Sequence, residues 1–256
     1  MQPLATLLDL SGTSAIVTGA AKGIGRAICV RLAEAGASVL AADFDQAGAN
    51  DIASEITSLG QTAQGFRADM ASEDDIKAMV EAATNAFGGL DILVNNAGIY
   101  PMSPVAGMPT DLFEKVIDVN LRGVFLATKY AAAAMRAAGK GGKIINITSI
   151  DALHLSMEGL AAYDASKHGV WGFTNNAALE YADDRIWINA IAPGGVATPG
   201  TGVGNPNAAI PAGVIEAMMQ TIPMHRMGDA DEIAKVALFL ASDMSSLHDR
   251  FADRGG

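Results

Sequence analysis

A glycine-rich turn between an apolar strand and a helix constrains the fold of this chain more than any other feature. The apolar run Ser14–Thr18 leads into the turn Gly19-Ala20-Ala21-Lys22-Gly23-Ile24-Gly25, and a helical pattern then continues to about Gly36. Glycines allow a backbone to approach a pyrophosphate closely, and the start of a helix supplies N–H donors and a positive dipole. A second apolar strand, 38–42, follows this helix. The order of strand, glycine turn, helix and strand therefore predicts an α/β fold.

The rest of the chain continues this alternation of strands and helices. Further strands are predicted at 62–68, 90–94, 143–148 and 185–191, and further helices at 47–59, 76–87, 110–138, about 157–181 and 229–241. One large α/β domain of this length can bury a sizeable core, so we predict a single domain over residues 1–256. A stretch rich in Gly, Pro, Ala and Met at about 200–224 is predicted to be a mobile lid.

The polar stretch that follows the predicted strand 143–148 carries the candidate chemistry. Ser149 lies at the end of that strand, where open α/β sheets bind their ligands. Tyr163 and Lys167 are four residues apart in a helical pattern that begins near Met157, so their side chains leave one helix face a turn apart. A phenol has a pKa of about 10, and a neighbouring ammonium lowers it. By itself this spacing is equally compatible with an ordinary solvated helix face.

Together with four other motifs, this stretch resembles the short-chain dehydrogenase/reductase family. In chain order the motifs are Thr18-Gly19-Ala20-Ala21-Lys22-Gly23-Ile24-Gly25, Asn95-Asn96-Ala97-Gly98, Asn120, Tyr163-Asp164-Ala165-Ser166-Lys167 with Ser149 upstream, and Pro193-Gly194. The resemblance extends from about Leu10 to about Asp243. It implies a single doubly wound, Rossmann-like parallel sheet of about seven strands with helices on both faces. The seventh strand is in doubt, because the tail 246–254 is charged where relatives have an apolar strand.

The resemblance also implies reversible hydride transfer between a secondary alcohol or ketone and a nicotinamide. Tyr163 is then the general acid/base, while Lys167, with the positive nicotinamide, lowers its pKa and grips the nicotinamide ribose. Ser149 positions the reacting oxygen, and Asn120 organises a water relay. One alternative is reduction of 3-oxoacyl groups on an acyl carrier protein with NADPH. Another is a non-catalytic dinucleotide sensor on the same fold.

Asp43 favours NAD over NADP as the cofactor. A carboxylate at the end of the second strand accepts hydrogen bonds from the adenosine ribose and repels a 2′-phosphate. Phe44 follows, so no arginine is expected there to hold that phosphate, whereas Lys22 favours NADP. Asp69-Met70 resembles the family's adenine contact and is also compatible with the region that opens the next helix. The residues assigned to the cofactor are Gly19, Lys22, Gly23, Ile24, Gly25, Asp43, Asp69, Met70, Asn95, Asn96, Ala97, Gly98, Tyr163, Lys167, Pro193, Gly194, Val196 and Thr198.

Apolar residues near the same edge of the sheet predict a partly apolar, ring-containing substrate. Asp151 or His154 would add a polar anchor for a second oxygen. The predicted pocket residues are Tyr100, Met102, Asp151, Leu153, His154, Met157, Gly195, Met218 and Met219. No metal is predicted, because the four histidines lack the spacing of metal ligands.

The net charge of −11 argues against nucleic acids and anionic membrane surfaces as partners. No apolar run approaches the length of about 20 residues that spans a bilayer, and the first residues lack a signal-peptide pattern. We therefore expect a cytoplasmic protein. Cys29 is the single cysteine, so no intrachain disulfide is possible. The resemblance implies a homo-oligomer, a dimer or a tetramer, formed through helices 110–138 and 157–181.

Overall fold

The computed structural model describes residues 3–154, 157–201, 220 and 222–246. Its main strands are β1 (Ser14–Thr18), β2 (Ser38–Asp43), β3 (Ala63–Arg67), β4 (Ile92–Asn95), β5 (Gly142–Ile147) and β6 (Ile186–Ile191). Within the described residues they form one six-stranded parallel sheet of order β3-β2-β1-β4-β5-β6. This is the doubly wound order, and the direction of winding reverses between β1 and β4. The predicted fold class is therefore confirmed. The doubtful seventh strand would lie in the tail, of which 247–256 are outside the described residues.

Helices cover both faces of this sheet. They are α1 (Leu4–Leu7), α2 (Gly23–Glu34), α3 (Gln46–Ser58), α4 (Glu73–Phe87), α5 (Thr110–Ile117), α6 (Gly123–Ala138), α7 (Ala161–Tyr181) and α8 (Ala230–Ala241). A pair of two-residue parallel strands, β7 (Val196–Ala197) and β8 (Gly228–Asp229), lies apart from the main sheet. In the described part of the chain, no helix has both the length and the apolar character needed to span a membrane.

The strands are apolar on both sides because both sides are covered. Side chains alternate along a strand, so in β1 Val17 enters one core and Ile16 the other. The first core joins β1, β2, β4 and β5 to α2, α3 and α8. The second joins the opposite side of the sheet to α4, α6 and α7. Two such cores hold the strand ends rigidly, which positions the loops at the carboxyl edge.

Three helix boundaries differ from the predictions. The predicted helix 110–138 is interrupted by a π-helical turn, Asp118–Arg122, between α5 and α6. The helix that carries Tyr163 begins at Ala161 instead of near Met157, because Gly159 has a φ of +93° that no helix accommodates. Helix α4 begins three residues earlier than predicted, since the Ser72 hydroxyl accepts a hydrogen bond from the amide of Asp75. Most of the predicted lid, 202–219 and 221, lies outside the described residues, so the lid stays a prediction.

Candidate active site

The glycine turn and the turn after β4 are bonded to each other at the point where the winding reverses. The Thr18 hydroxyl accepts hydrogen bonds from the backbone amides of Asn96 and Ala97, at 3.0 and 3.1 Å. The Asn96 side-chain amide donates to the carbonyl oxygens of Thr18 and Gly19, at 2.9 and 3.1 Å. Sequence reasoning missed Thr18 as a bonding group. The sequence feature that could have indicated this role is a hydroxyl at the last position of a buried strand.

Close packing explains why the turn after β1 is glycine-rich. A side chain on Gly25 would collide with the carbonyl oxygen of Gly19. Gly23 has a φ of +59°, and a Cβ there would lie 3.3 Å from the Thr198 side chain. The Lys22 side chain makes no capping hydrogen bond at the start of α2, and Lys22 is exposed. The first amides of α2 thus lie next to a turn at which side chains would collide with neighbouring atoms. This arrangement fits the pyrophosphate of a dinucleotide.

Asp43 is the last residue of β2 and lies beside this turn. Its carboxylate accepts hydrogen bonds from the amides of Ala21 and Asp45, both at 2.9 Å. Phe44 directly follows Asp43, but the neighbouring strand carries an arginine opposite Asp43. Arg67 pairs with Asp43 in the register of β2 and β3, and its guanidinium lies 5.1 Å from the centre of the Phe44 ring. Sequence reasoning missed this arginine because the contact depends on cross-strand register.

Asp69 and Met70 form the connection between β3 and α4. The Asp69 carboxylate accepts a hydrogen bond from the amide of Ala71 at 2.9 Å. Met70 is 7% exposed and packs in the second core, so its side chain is turned away from solvent. The interpretation as the region that opens a helix matches these contacts. The contact of Asp69 and Met70 with an adenine stays a prediction.

The Asn95 side chain points into the protein interior. Its amide donates to the Asn146 side-chain oxygen at 2.8 Å and to the Thr128 hydroxyl at 3.3 Å. Asn146 in turn donates to the Thr174 hydroxyl at 2.9 Å. This buried network joins β4, β5, α6 and α7. Sequence reasoning missed it, although Asn146 inside an apolar strand was a visible signal. The assignment of Asn95 and Asn96 to cofactor binding stays a prediction.

Asn120 is fully buried in the π-helical turn. Its side-chain oxygen accepts from the Ile99 amide, and its nitrogen donates to the Ile99 carbonyl, both at 2.8 Å. The same nitrogen lies 3.1 Å from the Ser166 hydroxyl oxygen. A Cβ on Gly98 would lie 3.4 Å from the Asn120 oxygen and 3.7 Å from the Lys167 amine. The turn after β4 therefore lies beside both of these predicted site residues at Gly98.

The structure brings together Ser149, Tyr163 and Lys167 at the carboxyl end of β5. The Ser149 side chain is close enough to the Tyr163 phenol to lower its pKa. The Lys167 amine, 4% exposed as a residue, donates to the carbonyl oxygen of Ile147 at 2.7 Å. That amine lies 5.6 Å from the centre of the Tyr163 ring. A hydroxyl, a phenol and an amine thus share one mostly enclosed site.

Burial dominates the electrostatics of this site. Desolvation raises the pKa of Tyr163 from 10.0 to about 12, and the Ser149 hydrogen bond opposes this rise. Desolvation lowers the pKa of Lys167 from 10.5 to about 8. The spacing predicts a lowered tyrosine pKa, but in the described chain burial of the phenol raises the pKa of Tyr163, and the opposing effect comes from Ser149 and not from Lys167. Tyr163 therefore retains its proton at neutral pH unless further positive charge lies beside the ring.

The loop after β5 connects Ser149 to an acidic residue. The Ser149 hydroxyl donates to the Asp151 carboxylate at 3.0 Å and accepts from the Asp151 amide at 3.1 Å. Burial raises the pKa of Asp151, and the Ser149 hydrogen bond opposes the rise. His154 lies in the same loop and is exposed. The anchoring of a second substrate oxygen by either residue stays a prediction.

Exposed apolar side chains occur in the loops next to the site. The rings of Tyr100 and Tyr163 meet edge to face with centres 6.0 Å apart. Burial raises the pKa of Tyr100, and the Thr198 side chain opposes this rise. Between 40% and 67% of each of five apolar residues is exposed here: Tyr100, Met102, Ile150, Leu153 and Met157. We name these five residues the apolar rim. The predicted pocket residues Met218 and Met219 lie outside the described residues.

The loop after β6 closes the opposite side of the site. The Pro193 carbonyl accepts from the amide of Ile150 at 3.0 Å, which ties this loop to the loop after β5. A Cβ on Gly194 would lie 3.8 Å from the Ile150 side chain, and one on Gly195 would lie 3.1 Å from Ile222. Val196 is buried in the β7–β8 pair. Among the described residues, no group of three or more His, Cys, Asp or Glu side chains is arranged to hold a metal ion.

Comparisons with known proteins agree with this geometry. A profile of the family described as short chain dehydrogenase matches residues 13–208. The 3beta-hydroxysteroid dehydrogenase 2 of Eggerthella lenta is 39% identical over 238 residues, which cover 92% of this chain and 90% of that protein. The cyclohexanol dehydrogenase of Acinetobacter sp. (strain SE19) is 39% identical over 234 residues, covering 91% and 88% of the two chains.

A solved structure is similar over nearly the whole chain. It is a 7α-hydroxysteroid dehydrogenase in complex with NADH and 7-oxo glycochenodeoxycholic acid. The two structures superimpose with a TM-score of 0.90 at 33% sequence identity, covering 98% of this chain and 95% of the other.

Proposed function

Because the chain belongs to the short-chain dehydrogenase family, we propose that it interconverts a cyclic secondary alcohol and its ketone with NAD, and that Tyr163 carries the proton. The observation that carries this proposal is the meeting of Ser149, Tyr163 and Lys167 in one mostly enclosed site. Ionisable groups with shifted pKa values in one cleft are typical of reactive sites.

The dinucleotide, when bound, supplies a nicotinamide C4 that accepts a hydride from the alcohol carbon or returns it to the carbonyl carbon. In oxidation, Tyr163 as phenolate takes the proton of the substrate hydroxyl, and in reduction Tyr163 as phenol gives its proton to the carbonyl oxygen. Ser149, beside Tyr163, positions the oxygen that gains or loses this proton. Lys167 and Asn120, both buried behind the turn after β4, are proposed to relay protons towards Tyr163.

The high pKa of Tyr163 favours one direction. Near neutral pH the phenol holds its proton, which suits donation to a ketone. Oxidation requires a phenolate, and a cation beside the ring lowers the pKa towards the working range. The chain places the Lys167 amine 5.6 Å from the ring centre, so protonated Lys167 contributes part of that stabilisation. We therefore propose that alcohol oxidation is faster at alkaline pH.

Asp43 is the main support for NAD. Its carboxylate, fixed by two backbone amides, would accept hydrogen bonds from the adenosine ribose hydroxyls and repel a 2′-phosphate. Arg67 and Lys22 are the cations near this position. Arg67 is paired with Asp75 at 2.8 Å, which reduces its attraction for a second anion. NADP is consequently the less favoured cofactor.

The apolar rim supports a cyclic, largely apolar substrate. These five exposed apolar residues would cover the rings of a bound alcohol. Removing this apolar surface from water would favour binding. The related proteins named above act, by their names, on cyclohexanol and hydroxysteroids. A small alicyclic alcohol and a steroid differ greatly in size, so both sizes must be tested.

A turnover assay tests the proposal. The purified chain is mixed with NAD or NADP and with cyclohexanol, a hydroxysteroid or a linear secondary alcohol, and the absorbance band of reduced nicotinamide is followed. We expect turnover with NAD and a cyclic alcohol, and weaker turnover with NADP. A 3-oxoacyl thioester with NADPH tests the reductase alternative. Tight NAD binding without turnover of any of these compounds would contradict the proposal and favour a sensor.

We also propose a homo-oligomer formed through α5, α6 and α7. Phe113, Phe125 and Leu179 expose between 43% and 51% of their surface on these helices. Burial of such side chains against a second copy would stabilise an assembly. Sedimentation at micromolar concentration should give a dimer or tetramer, and a monomer would contradict this part of the proposal.

A further inference from the structure

Ser166 lies between two residues of the proposed active site and is fully buried. It belongs to α7, three residues after Tyr163 and directly before Lys167. Its hydroxyl oxygen lies 2.6 Å from the Tyr163 carbonyl oxygen and 3.1 Å from the side-chain nitrogen of Asn120. A single hydroxyl thus joins the first turn of α7 to the π-helical turn that carries Asn120.

The donors and acceptors fix the direction of both hydrogen bonds. A serine hydroxyl has one hydrogen and a carbonyl can only accept, so the Ser166 hydrogen goes to the Tyr163 carbonyl. Ser166 therefore accepts its second bond from the Asn120 amide. The other hydrogen of that amide goes to the Ile99 carbonyl at 2.8 Å. Both hydrogens of the Asn120 amide are then in use, and Ser166 is one of their two acceptors.

A continuous series of hydrogen bonds leads from the turn after β4 to the backbone of the proposed proton carrier. It runs from Ile99 to the Asn120 side chain, then to Ser166, and then to the Tyr163 carbonyl. Loss of the Ser166 hydroxyl would deprive one Asn120 amide hydrogen of its acceptor in a site closed to water. A buried donor without an acceptor is unfavourable, so the amide would turn or α7 would shift to relieve it.

We infer that Ser166 is a positioning residue of the reaction, which fixes the Asn120 amide and the Tyr163 turn of α7 relative to each other. The inference rests on the proposed function of Tyr163 and goes beyond it, because it assigns a role to a hydroxyl that is closed to solvent. A reacting group displaced by about 1 Å loses about a hundredfold in rate. Even a small shift of α7 is therefore expected to slow the reaction.

A second hydroxyl on α7 makes the same pair of hydrogen bonds and supplies a matched control. The Thr174 hydroxyl donates to the Val170 carbonyl at 2.7 Å and accepts from the Asn146 side-chain amide at 2.9 Å. Thr174 is buried like Ser166 but lies further along the helix from Tyr163. If such a hydroxyl were only structural, its removal at either position would have the same effect on activity.

Kinetics with NAD and a cyclic alcohol compare the two positions. Ser166→Ala should lower kcat about tenfold or more, while the Kd for NADH stays unchanged because the glycine turn is untouched. Thr174→Val, which removes the control hydroxyl, should keep the parent kcat. Ser166→Thr should regain most of the lost rate, since a threonine hydroxyl in a helix can bond to a carbonyl of the preceding turn. Ser166→Cys weakens both hydrogen bonds and replaces Ser166→Ala if alanine disturbs folding.

A double-mutant comparison tests whether Ser166 acts through Asn120. In the Asn120→Ala background, Ser166→Ala should lower kcat by no more than about threefold, because the amide that needs the hydroxyl is already absent. The same factor in both backgrounds would mean that the two residues act independently and would overturn the inference. A Ser166→Ala variant with the parent kcat would also overturn it.

An NMR measurement separates failure of this inference from failure of the proposed function. Labelling asparagine with 15N in the side chain gives signals for both Asn120 amide hydrogens, and Asn120→Ala identifies them. In Ser166→Ala one of these hydrogens should lose the shift caused by its hydrogen bond, whereas both should keep it in Thr174→Val. Unchanged Asn120 signals in Ser166→Ala would overturn the inference at any level of activity. Absence of turnover in the parent chain would contradict the proposed function, and the NMR comparison would still decide whether Ser166 fixes the Asn120 amide.

Discussion

Replacing Lys167 with Met is expected to stabilise the folded chain while it removes a proposed catalytic residue. Lys167 is 4% exposed, and desolvation lowers its pKa from 10.5 to about 8. One pKa unit corresponds to about 1.4 kcal/mol, so keeping this amine charged inside the fold costs about 3 kcal/mol near neutral pH. Methionine is similar in length, and burying it carries no such cost.

The hydrogen bond of Lys167 reduces the expected gain. Its amine donates to the Ile147 carbonyl at 2.7 Å, and loss of one such bond costs about 1 kcal/mol. Lys167→Met should therefore be more stable than the parent chain by about 2 kcal/mol at about pH 7. Activity should be lost in the same variant, because it removes the amine beside the Tyr163 ring. A stabilised but inactive variant is the expected result at a site where catalysis is maintained at the expense of stability.

The stability that Lys167→Met gains over the parent chain should depend on pH in a defined direction. The folded state binds fewer protons at Lys167 than the unfolded state between about pH 8 and pH 10.5, so stability from this site rises with pH across that window. The advantage of Lys167→Met should shrink accordingly and reach about zero near pH 10, where the remaining cost of burying the charge, about 1 kcal/mol, equals the cost of the lost hydrogen bond.

Urea unfolding at fixed protein concentration and without added dinucleotide measures this difference, because bound ligand would stabilise the folded state by mass action. Lys140→Met, at an exposed position, is the matched control and should show no comparable change with pH. A Lys167→Met variant that is less stable than the parent near neutral pH, or whose advantage is constant with pH, would refute the reasoning.

Two further variants test separate parts of the structure. Asp43→Asn should lower the ratio of kcat/KM for NAD over NADP by about tenfold or more, since a hydrogen bond to a charged group contributes about 1.5–3 kcal/mol; an unchanged ratio would remove Asp43 as the basis of cofactor choice. Asn146→Ala should destabilise the fold by about 2–4 kcal/mol, because it opens a cavity and removes the partner of Asn95 and Thr174. A loss below about 1 kcal/mol in urea unfolding would contradict the structural importance of that network.

The fold was predictable because its signals are local. Most of the main strands are short apolar runs that alternate with helical patterns, and such alternation permits few topologies. The placement of Ser149 followed from its position at a strand end, and the common face of Tyr163 and Lys167 followed from their spacing.

The contacts that define the site are long-range and were not predictable in the same way. Asn120 bonds to Ile99, 21 residues away, within a π-helical turn that the apolar pattern does not distinguish from α-helix. Arg67 reaches Phe44 through strand register. The shifted pKa values of Tyr163 and Lys167 depend on burial, which follows from the packed structure and not from spacing.

The central claim is that the Tyr163 hydroxyl carries the proton in an NAD-linked reaction of a cyclic alcohol. Its most direct test compares the parent chain, Tyr163→Phe and the control Tyr181→Phe, which alters the far end of the same helix. Initial rates of NAD reduction with cyclohexanol or a hydroxysteroid are measured for each protein. The account predicts that Tyr163→Phe loses at least about a hundredfold in kcat, as expected for removal of a general acid/base, while Tyr181→Phe retains parent activity. Full activity in Tyr163→Phe would contradict the claim.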